Sequence, residues 1–219
     1  MTDQLILKFP ANQVYSKEDF YVSSSNQKAY EFINAWPKWI KRIVNIFGPT
    51  GSGKTHLASI LKKKTSTLEI QSEALNDKIF FEFKAKEALI IENFNEKVSE
   101  TLLFSIWNAA LQDNKYVLIT STKPINSYKF ELDDLRSRVN SSMIIGINLP
   151  SDDLISVILA KNFSDKQIKV EKKHIDYIIK RIDRSYEKIS QFILTLDKYS
   201  LKKGSPFALK MIKEVLKMV

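Results

Sequence analysis

The most constraining feature of this sequence is the segment GPTGSGKT, Gly48 to Thr55, which contains three of the chain's five glycines. It follows an apolar run, VNIF, and precedes THLASILKK, which has helical spacing. A GxxxxGK[ST] pattern between a strand and a helix is typical of a phosphate-binding loop, because glycines let the backbone turn its N–H groups toward an anion. A chance match in a chain of this length has odds on the order of 1%. The segment predicts a site for ATP or ADP.

Side chains of this loop have predicted roles as well. Lys54 is expected to reach the outer phosphates, and Thr55 is expected to offer its hydroxyl to Mg²⁺. The predicted phosphate-binding residues are Gly48, Pro49, Thr50, Gly51, Ser52, Gly53, Lys54 and Thr55.

Short apolar runs alternate with helical patterns through the first two thirds of the chain. The predicted strands are RIVNIF (42–47), TLEI (67–70), ALIIE (88–92), YVLITS (116–121) and MIIGIN (143–148). Strands that alternate with helices form a parallel sheet covered on both faces. The sequence therefore predicts an α/β core with a five-stranded parallel sheet over residues 19–150.

The two ends of the chain follow other patterns. Residues 1–18 are predicted to be an extended tail, and a helix from Asn26 to Trp39 is predicted to lead into the first strand. After Pro150 the strand signal stops, and residues 151–219 are predicted to form a small all-helical subdomain. Its predicted helices cover about 151–162, 171–182, 185–202 and 205–217.

Composition limits the possible classes of protein. The absence of cysteine excludes a disulfide framework, a thiolate metal site and a cysteine nucleophile. No apolar run approaches the roughly 20 residues that span a bilayer, and MTDQLILKFP lacks the pattern of a signal peptide. We therefore expect a soluble, cytoplasmic protein without membrane contact. The net charge of +9 is compatible with an anionic partner and equally with a solvated lysine surface.

An acidic residue ends the third predicted strand, in ALIIENFN. Glu92 is the candidate partner of Thr55 in holding Mg²⁺, and an ordinary exposed acid is the alternative. The next residue is Asn93, where many phosphate-loop ATPases have a second carboxylate. An amide cannot act as a general base, so we predict weak intrinsic ATP hydrolysis.

The loop, the acidic strand end and the helical C-terminal region together resemble AAA+ proteins of the DnaA replication-initiator group. The resemblance covers nearly the whole chain from residue 19 onward. In DFYVSSSNQKA, Phe20, Asn26 and Ala29 match the family's adenine-side segment. His56 and Leu57 follow the loop as they do in the family. The resemblance implies an AAA+ core with a helical lid, and it adds Phe20, Asn26 and His56 to the nucleotide-binding residues.

The family's two sensor positions are only partly matched. LITSTKP, residues 118–124, resembles the sensor-1 strand, with Thr122 where the initiators usually have an acidic residue. For sensor 2, RIDRSYEKISQF offers Arg184 or, one helical turn later, Lys188. The sequence does not distinguish Arg184 from Lys188 as the sensor-2 residue. For each of them the alternative is an ordinary charged side chain on the surface.

The segment DDLRSRV, residues 133–139, resembles the box that presents an arginine finger. The resemblance implies that Arg138 acts in trans, on ATP bound to the DnaA initiator, because a permanently charged guanidinium can reach a neighbour's γ-phosphate. Arg136 competes for this role. For both arginines the alternative is a surface ion pair with Asp133 or Asp134.

Two segments resemble the regulatory inactivators of DnaA, the Hda-like branch of this group. QLILKF resembles their sliding-clamp-binding peptide: in an extended chain the side chains of Leu5, Leu7 and Phe9 share one face, and Gln4 can hydrogen-bond. An edge strand of the protein's own sheet is the alternative for this segment. The second is SPFALKMIKEVLKMV, which resembles the inactivators' closing helix, where an initiator continues into a DNA-binding domain.

This resemblance implies a regulator with the DnaA initiator and the sliding clamp as partners and with DNA contacted through the clamp. The sequence leaves self-association open. One competing hypothesis is a self-sufficient AAA+ ATPase of the helicase-loader type, which requires efficient hydrolysis of its own. Another is a DNA-binding replication accessory protein, which predicts steeply salt-dependent binding to bare DNA.

Overall fold

The structure, a computed structural model, describes residues 20–165, 170–203 and 209–219. The predicted tail and its clamp-binding residues Gln4, Leu5, Leu7 and Phe9 lie outside this part of the chain. The strands are β1 (Ile43–Phe47), β2 (Thr67–Gln71), β3 (Ala88–Phe94), β4 (Tyr116–Ser121) and β5 (Met143–Gly146). The helices are α1 (Gln27–Asn34), α2 (Lys54–Lys62), α3 (Ile79–Lys84), α4 (Glu100–Gln112), α5 (Asp133–Ser141), α6 (Asp152–Asp165), α7 (Lys172–Ile179), α8 (Tyr186–Lys203) and α9 (Leu209–Leu216).

The five strands form one parallel sheet in the order β2-β3-β4-β1-β5. This confirms the predicted α/β core. Because all strands run the same way, the loops after β1, β3 and β4 meet at one edge of the sheet, which we call the carboxyl edge. The pairing of β3 with β4 shifts its register between Ile91 and Phe94, so that the chain bends where β3 reaches this edge.

Helices cover both faces of the sheet. One face packs against α1 and α2, in a core that includes Val44, Ile46 and Leu57. The other face packs against α3, α4 and α5, in a core that includes Leu89 and Ile91. Neighbouring residues of a strand point to opposite faces, and both faces are buried, so the strands are continuous apolar runs.

Two helices of the core differ from the sequence prediction. The first helix ends at Asn34 rather than Trp39, because Pro37 disfavours helical backbone at the residue before it. The short helix α3 was not among the predicted elements. Its sequence, IFFEFK, has the β-branched and aromatic composition of a strand, and it is packing of Ile79 and Phe83 against the core that favours the helix.

The C-terminal helices α6 to α9 form a lid with a hydrophobic core of its own. The most deeply buried residues of this core include Ile155, Leu159, Ile178, Phe192 and Ile212. The predicted helical region is therefore present. Among the described residues, none of the helices combines the length and the apolar character that a bilayer span requires.

Candidate functional site

The loop between β1 and α2 adopts a backbone conformation that strongly favours glycine. Gly51 and Gly53 have φ angles of +79° and +93°, in the left-handed region. A Cβ atom on Gly53 would lie 2.9 Å from Cε2 of Phe20, and one on Gly51 would lie 3.1 Å from Cβ of Tyr186. The loop is therefore packed from the core side by Phe20 and from the lid side by Tyr186.

Lys54 begins α2 and is buried inside this loop, with 7% of its surface exposed. Its Nζ atom donates hydrogen bonds of 2.8 Å to the carbonyl oxygens of Gly48 and Pro49. Burial lowers the pKa of Lys54, and the nearby charge of Glu92 partly opposes that shift. The loop thus holds a desolvated cation where the pattern predicts a phosphate contact.

Glu92 lies at the carboxyl end of β3 beside Thr55, as the prediction of a magnesium pair requires. The Thr55 hydroxyl donates to Oε2 of Glu92 over 3.3 Å, and the Gln71 amide donates to the same oxygen over 3.4 Å. Burial and the nearby charge of Glu69 raise the pKa of Glu92, which is only 3% exposed. Its Oε1 atom is buried without a hydrogen-bond partner among the described atoms.

These two side chains fit a magnesium ion. Mg²⁺ prefers hard oxygen ligands, and a carboxylate and a hydroxyl next to a phosphate site supply them. A cation at Oε1 would also satisfy the partnerless oxygen and favour the ionised form of Glu92. No cluster of three or more potential metal-binding histidine, aspartate or glutamate side chains occurs within the described ranges.

Asn93 follows Glu92 in a left-handed backbone conformation, with φ of 55°. Its backbone N–H donates to Oγ1 of Thr120 over 3.0 Å, and its side-chain amide donates to Oε1 of Gln71 over 2.9 Å. Thr122, the predicted sensor-1 residue, is exposed beyond the end of β4. The buried threonine in contact with the end of β3 is Thr120. The sequence analysis missed it because the segment around Thr120 has the pattern of an ordinary buried strand.

The adenine-side segment is built by aromatic packing and local hydrogen bonds. Phe20 stacks on Tyr30 at 5.5 Å and meets His56 edge-on at 5.1 Å, measured between ring centroids. The Asn26 side chain is 4% exposed and accepts from the Ser23 backbone N–H over 2.8 Å. Asn26 therefore holds the segment in shape, and Phe20 and His56 form a wall beside the phosphate loop.

A cavity of about 470 Å³ lies between the phosphate loop and the lid. Its core wall includes Phe20, Asn26, His56 and the loop residues from Gly51 to Gly53, and its lid wall includes Val157, Ile158, Lys161 and Tyr186. The volume is in the range of small-molecule sites, and the lining combines apolar side chains with polar ones such as Asn26, Lys161 and Asp165. The arrangement can hold a base and ribose next to the loop that takes the phosphates.

Tyr186 is the lid residue in contact with the phosphate loop. It begins α8, is 6% exposed, and its hydroxyl donates to the carbonyl oxygen of Asn148 over 3.3 Å. Burial raises the pKa of Tyr186. Sequence reasoning did not identify this residue, because an aromatic residue in an amphipathic helix is usually a core residue.

Neither sensor-2 candidate lines the cavity. Arg184 forms an ion pair with Asp152, with distances of 3.0 Å from Nε to Oδ1 and 3.1 Å from Nη2 to Oδ2. Lys188 donates from Nζ to the backbone oxygen of Val219 over 2.6 Å. Within the described part of the lid, the basic residue that lines the cavity is Lys161 of α6, which the sequence analysis did not consider.

The two candidate finger arginines have different surroundings on α5. Arg136 pairs with Asp133 over 2.9 Å and donates to the carbonyl oxygen of Phe130, which is the surface ion pair considered as its alternative. Arg138 is half-buried, with Cζ 4.9 Å from the ring centroid of Phe104. It lies in the last turn of α5, just before β5 and so near the amino edge of the sheet. Arg138 is therefore remote from the chain's own phosphate loop.

Comparison with known proteins finds similarity to replication initiators. No family model matches the sequence. The chain is similar to the chromosomal replication initiator protein DnaA of Campylobacter jejuni, with 26% identity over 94% of this chain and 53% of that protein. The DnaA of Wolinella succinogenes is also 26% identical over the same shares of the two chains. The chain spans about half the length of the curated relatives it matches, and it is related to their AAA+ region.

Solved structures show the same architecture. Domain III of the Thermotoga maritima replication initiation protein DnaA superimposes with a TM-score of 0.75 at 19% identity, over 95% of this chain and 98% of that domain. AMPPCP-bound DnaA from Aquifex aeolicus superimposes with a TM-score of 0.70 at 19% identity, over 87% of this chain and 67% of that one. The chain therefore has the AAA+ fold, with a parallel five-stranded core and a helical C-terminal region.

Proposed function

We propose that this chain is a nucleotide-binding AAA+ regulator of replication initiation, which binds the sliding clamp and stimulates ATP hydrolysis by the DnaA initiator. The observation that carries the proposal is its similarity to DnaA across 94% of its length, together with a complete phosphate loop at the carboxyl edge of the sheet. The proposal assigns the chain to the Hda-like branch of the group. It has three parts: nucleotide binding, action in trans and clamp binding.

In the first part, the loop from Gly48 to Thr55 holds the phosphates of ATP or ADP. Backbone N–H groups at the start of α2 and the buried Lys54 ammonium supply positive charge, and Phe20 with His56 borders the base. Thr55 and Glu92 hold Mg²⁺, which neutralises phosphate charge when bound. The AMPPCP-bound state of the Aquifex aeolicus DnaA supports this part.

Intrinsic hydrolysis is proposed to be weak. Asn93 occupies the position after Glu92, and an amide cannot take a proton from an attacking water. Its side chain is also engaged with Gln71, which turns it away from a role in orienting water. The nucleotide then acts chiefly as a structural ligand between core and lid.

In the second part, Arg138 completes the ATP site of the initiator in trans. Two facts support this role: the guanidinium is remote from the chain's own loop, and it rests on the ring of Phe104. A guanidinium stacked on an aromatic ring is restrained in its orientation and keeps its edge available for a phosphate. An arginine supplied by a neighbour accelerates phosphoryl transfer by neutralising charge in the transition state.

In the third part, the peptide QLILKF tethers the protein to the clamp. Leu5, Leu7 and Phe9 would fill an apolar groove while Gln4 hydrogen-bonds at its rim. The tether would raise the local concentration of Arg138 near an initiator on clamp-loaded DNA. Contact with DNA is then made through the clamp.

The decisive experiment measures ATP hydrolysis by DnaA with and without this protein and DNA-loaded clamp. We expect stimulation that requires all three components and that Arg138→Ala reduces by roughly 10³-fold. Arg181→Ala is the matched control, because Arg181 also stacks on an aromatic ring, that of Tyr177, but lies in the lid. Equal stimulation by the wild type and Arg138→Ala would remove Arg138 from the mechanism.

Two other outcomes would indicate a different function. Rapid ATP turnover by this protein alone would indicate a self-sufficient ATPase of the helicase-loader type. Tight, steeply salt-dependent binding to bare DNA without clamp or initiator would indicate a DNA-binding accessory protein.

A further inference from the structure

The net positive charge of the chain is concentrated in its C-terminal region. Residues 151–219 contain fifteen lysines and arginines and nine aspartates and glutamates, so this region carries +6 of the chain's +9. It makes up less than a third of the 219 residues. An uneven distribution of charge produces a local positive potential, which attracts anionic partners. The lid therefore attracts an anion more strongly, for its size, than the rest of the chain does.

Helix α9 and the turn after it present a line of three lysines to solvent. Lys210, Lys213 and Lys217 are all exposed, and their spacing of three and four residues places them on one face. Within the part of the chain that the structure describes, none of the three forms an ion pair. Glu214, the one acidic residue of α9, lies beside this line, and its carboxylate accepts a hydrogen bond from the Tyr199 hydroxyl of α8.

The ring of Tyr177 on α7 restrains the middle lysine. Nζ of Lys213 lies 5.7 Å from the centroid of this ring. A cation–π contact restrains an ammonium group without using its N–H donors, so Lys213 keeps donors for an acceptor. Cζ of Arg181 lies 3.8 Å from the same centroid, and its Nη1 donates to the Tyr177 carbonyl oxygen over 3.4 Å. Arg181 is therefore engaged by Tyr177 and is not part of the lysine line.

The remaining faces of α9 limit the class of anion. Met211, Ile212 and Val215 are 4%, 0% and 0% exposed in the lid core, whereas a helix that binds a lipid surface inserts its apolar face. The helix also lacks an aromatic residue on which unpaired bases could stack. Recognition by charge alone remains, and duplex DNA presents one negative charge per about 1.7 Å of its axis.

We propose that Lys210, Lys213 and Lys217 form a contact surface for the phosphate backbone of duplex DNA. Charge complementarity supports this partner: three exposed cations in a row face a polyanion, and the apolar side of their helix is occupied by the lid core. The contact does not depend on base sequence, because lysines bind phosphates as point charges. Its use beside the clamp rests on the proposed function, since a tether makes a weak contact effective. The contact itself does not.

The direct test measures binding of the full chain to a fluorescently labelled duplex of random sequence at several salt concentrations, without clamp or initiator. We expect a non-specific dissociation constant of about 10⁻⁴ to 10⁻⁶ M at physiological salt. In the triple variant Lys210→Ala/Lys213→Ala/Lys217→Ala, the slope of log K against log salt should fall by about three, because three phosphate contacts are removed. Its affinity at low salt should fall by at least about tenfold.

The control is a second triple variant that removes the same total charge from the core. Lys28, Lys38 and Lys78 are exposed there, and their replacement by alanine should leave the salt slope of the wild type unchanged. Thermal unfolding confirms that both triple variants remain folded. Equal loss of DNA affinity in the two variants would show that overall charge alone is responsible, and this would overturn the surface. An unchanged slope in the lid variant would overturn it as well.

Two other ligands test the choice of partner. Single-stranded DNA is compared with the duplex at equal phosphate concentration, and tighter binding to the single strand would overturn the assignment to duplex DNA. Vesicles of phosphatidylserine and phosphatidylcholine are compared in the same way. Tighter binding to the anionic vesicles than to the duplex would assign the lysines to a lipid surface instead.

A last arm separates this inference from the proposed function. If the wild type stimulates DnaA on clamp-loaded DNA and the lid variant stimulates at least about fivefold less, the contact is used in that reaction. If the lid variant binds the duplex weakly but stimulates fully, use of the contact beside the clamp is overturned. If the wild type binds the duplex as expected but does not stimulate DnaA, the proposed function fails and the DNA contact remains.

Discussion

At the scale of single residues, two buried charges lie close to the phosphate loop. Lys54 and Glu92 are both less than a tenth exposed, and the charge of Glu92 opposes the effect of burial on Lys54 only in part. Burying charged groups is costly unless they are fully paired. The buried charges therefore lower the stability of the ligand-free protein, and the proposed binding of phosphate and Mg²⁺ would offset this cost.

Replacing Glu92 by glutamine should stabilise the ligand-free protein while weakening Mg²⁺-dependent nucleotide binding. We expect a gain of about 1 kcal/mol in the free energy of unfolding at neutral pH, measured by urea denaturation, because a buried carboxylate is removed. A lower free energy of unfolding in Glu92→Gln than in the wild type at neutral pH would contradict the expectation.

The pH dependence of that gain has a definite sign. Because the pKa of Glu92 is raised in the folded state, protonation of Glu92 stabilises the folded protein. This contribution is complete below the ordinary carboxyl pKa and is lost as pH rises through the raised value. The advantage of Glu92→Gln should therefore shrink over the interval in which pH falls through the raised pKa toward the ordinary carboxyl value. An advantage that is constant over this interval would show that Glu92 does not titrate there.

Lys54→Ala should reduce nucleotide affinity by roughly a hundredfold, because a desolvated ammonium contacting phosphate is worth a few kcal/mol. The measurement is a titration with fluorescent ADP in the presence of Mg²⁺. Lys63→Ala, just beyond the end of the same helix, is the control and should bind as the wild type does. Equal affinities of all three proteins would exclude this loop as the phosphate site.

At the scale of elements, hydrogen bonds to Glu100, the first residue of α4, hold the residues that precede α5. Its carboxylate accepts hydrogen bonds of 2.9 Å from the backbone N–H groups of Glu131 and Leu132. These bonds lower the pKa of Glu100. Since α5 carries Arg138, Glu100 positions the helix that presents the proposed finger.

Glu100→Gln should weaken these hydrogen bonds, because it removes the charge of the accepting carboxylate. We expect faster hydrogen exchange at the amides of Glu131 and Leu132 and weaker stimulation of DnaA, with Glu96→Gln as a control on a nearby exposed carboxylate. Because the folded-state pKa of Glu100 is lowered, its contribution is present above the ordinary carboxyl pKa and is lost as pH falls through the lowered value. Unchanged exchange at both amides would show that the bonds do not hold α5.

The lid depends on the first residue of α8 for its contact with the phosphate loop. Tyr186→Ala should cost about 3 kcal/mol of unfolding free energy, since a large buried side chain is removed, and it should speed nucleotide release. Tyr186→Phe keeps the packing on Gly51 and should cost only about 1 kcal/mol, for the lost bond to Asn148. Urea denaturation and stopped-flow release measure the two effects, and equal release rates in both variants would refute the packing role.

At the scale of the whole molecule, the sheet and the lid have separate hydrophobic cores with the large cavity between them. A ligand that binds both walls couples the two parts. Saturating ADP with Mg²⁺, at about a hundred times its dissociation constant, should add about 2.7 kcal/mol of stability and raise the Tm by about 5–10 °C. Hydrogen exchange should slow in α6 and α8 as well as in α2.

The Lys54→Ala variant provides the control for this coupling and should show little or no increase in Tm. Slower exchange confined to the sheet and α2, with α6 and α8 unaffected, would show that the nucleotide does not join the lid to the core. The nucleotide would then be a ligand of the core alone.

The fold was largely predictable from sequence, whereas the contacts of the site were not. Apolar runs such as ALIIE and YVLITS predicted the strands because a strand buried on both faces needs consecutive apolar residues. The contact between Thr55 and Glu92 followed from the meeting of strand ends at one edge of a parallel sheet. Tyr186 and Thr120 were missed, because an aromatic residue in a helix and a threonine in a strand look like ordinary packing residues.

The sequence by itself determined the phosphate loop, the parallel sheet and the helical lid, because glycine spacing and hydrophobic periodicity are local properties of a chain. Only the tertiary structure decided that Arg184 pairs with Asp152, that Tyr186 covers the loop, and that Arg138 lies at the opposite edge on the ring of Phe104. Each of these outcomes depends on which distant side chain supplies the partner. Long, flexible charged side chains can satisfy their hydrogen bonds in several ways, and packing of the helices against the sheet selects one.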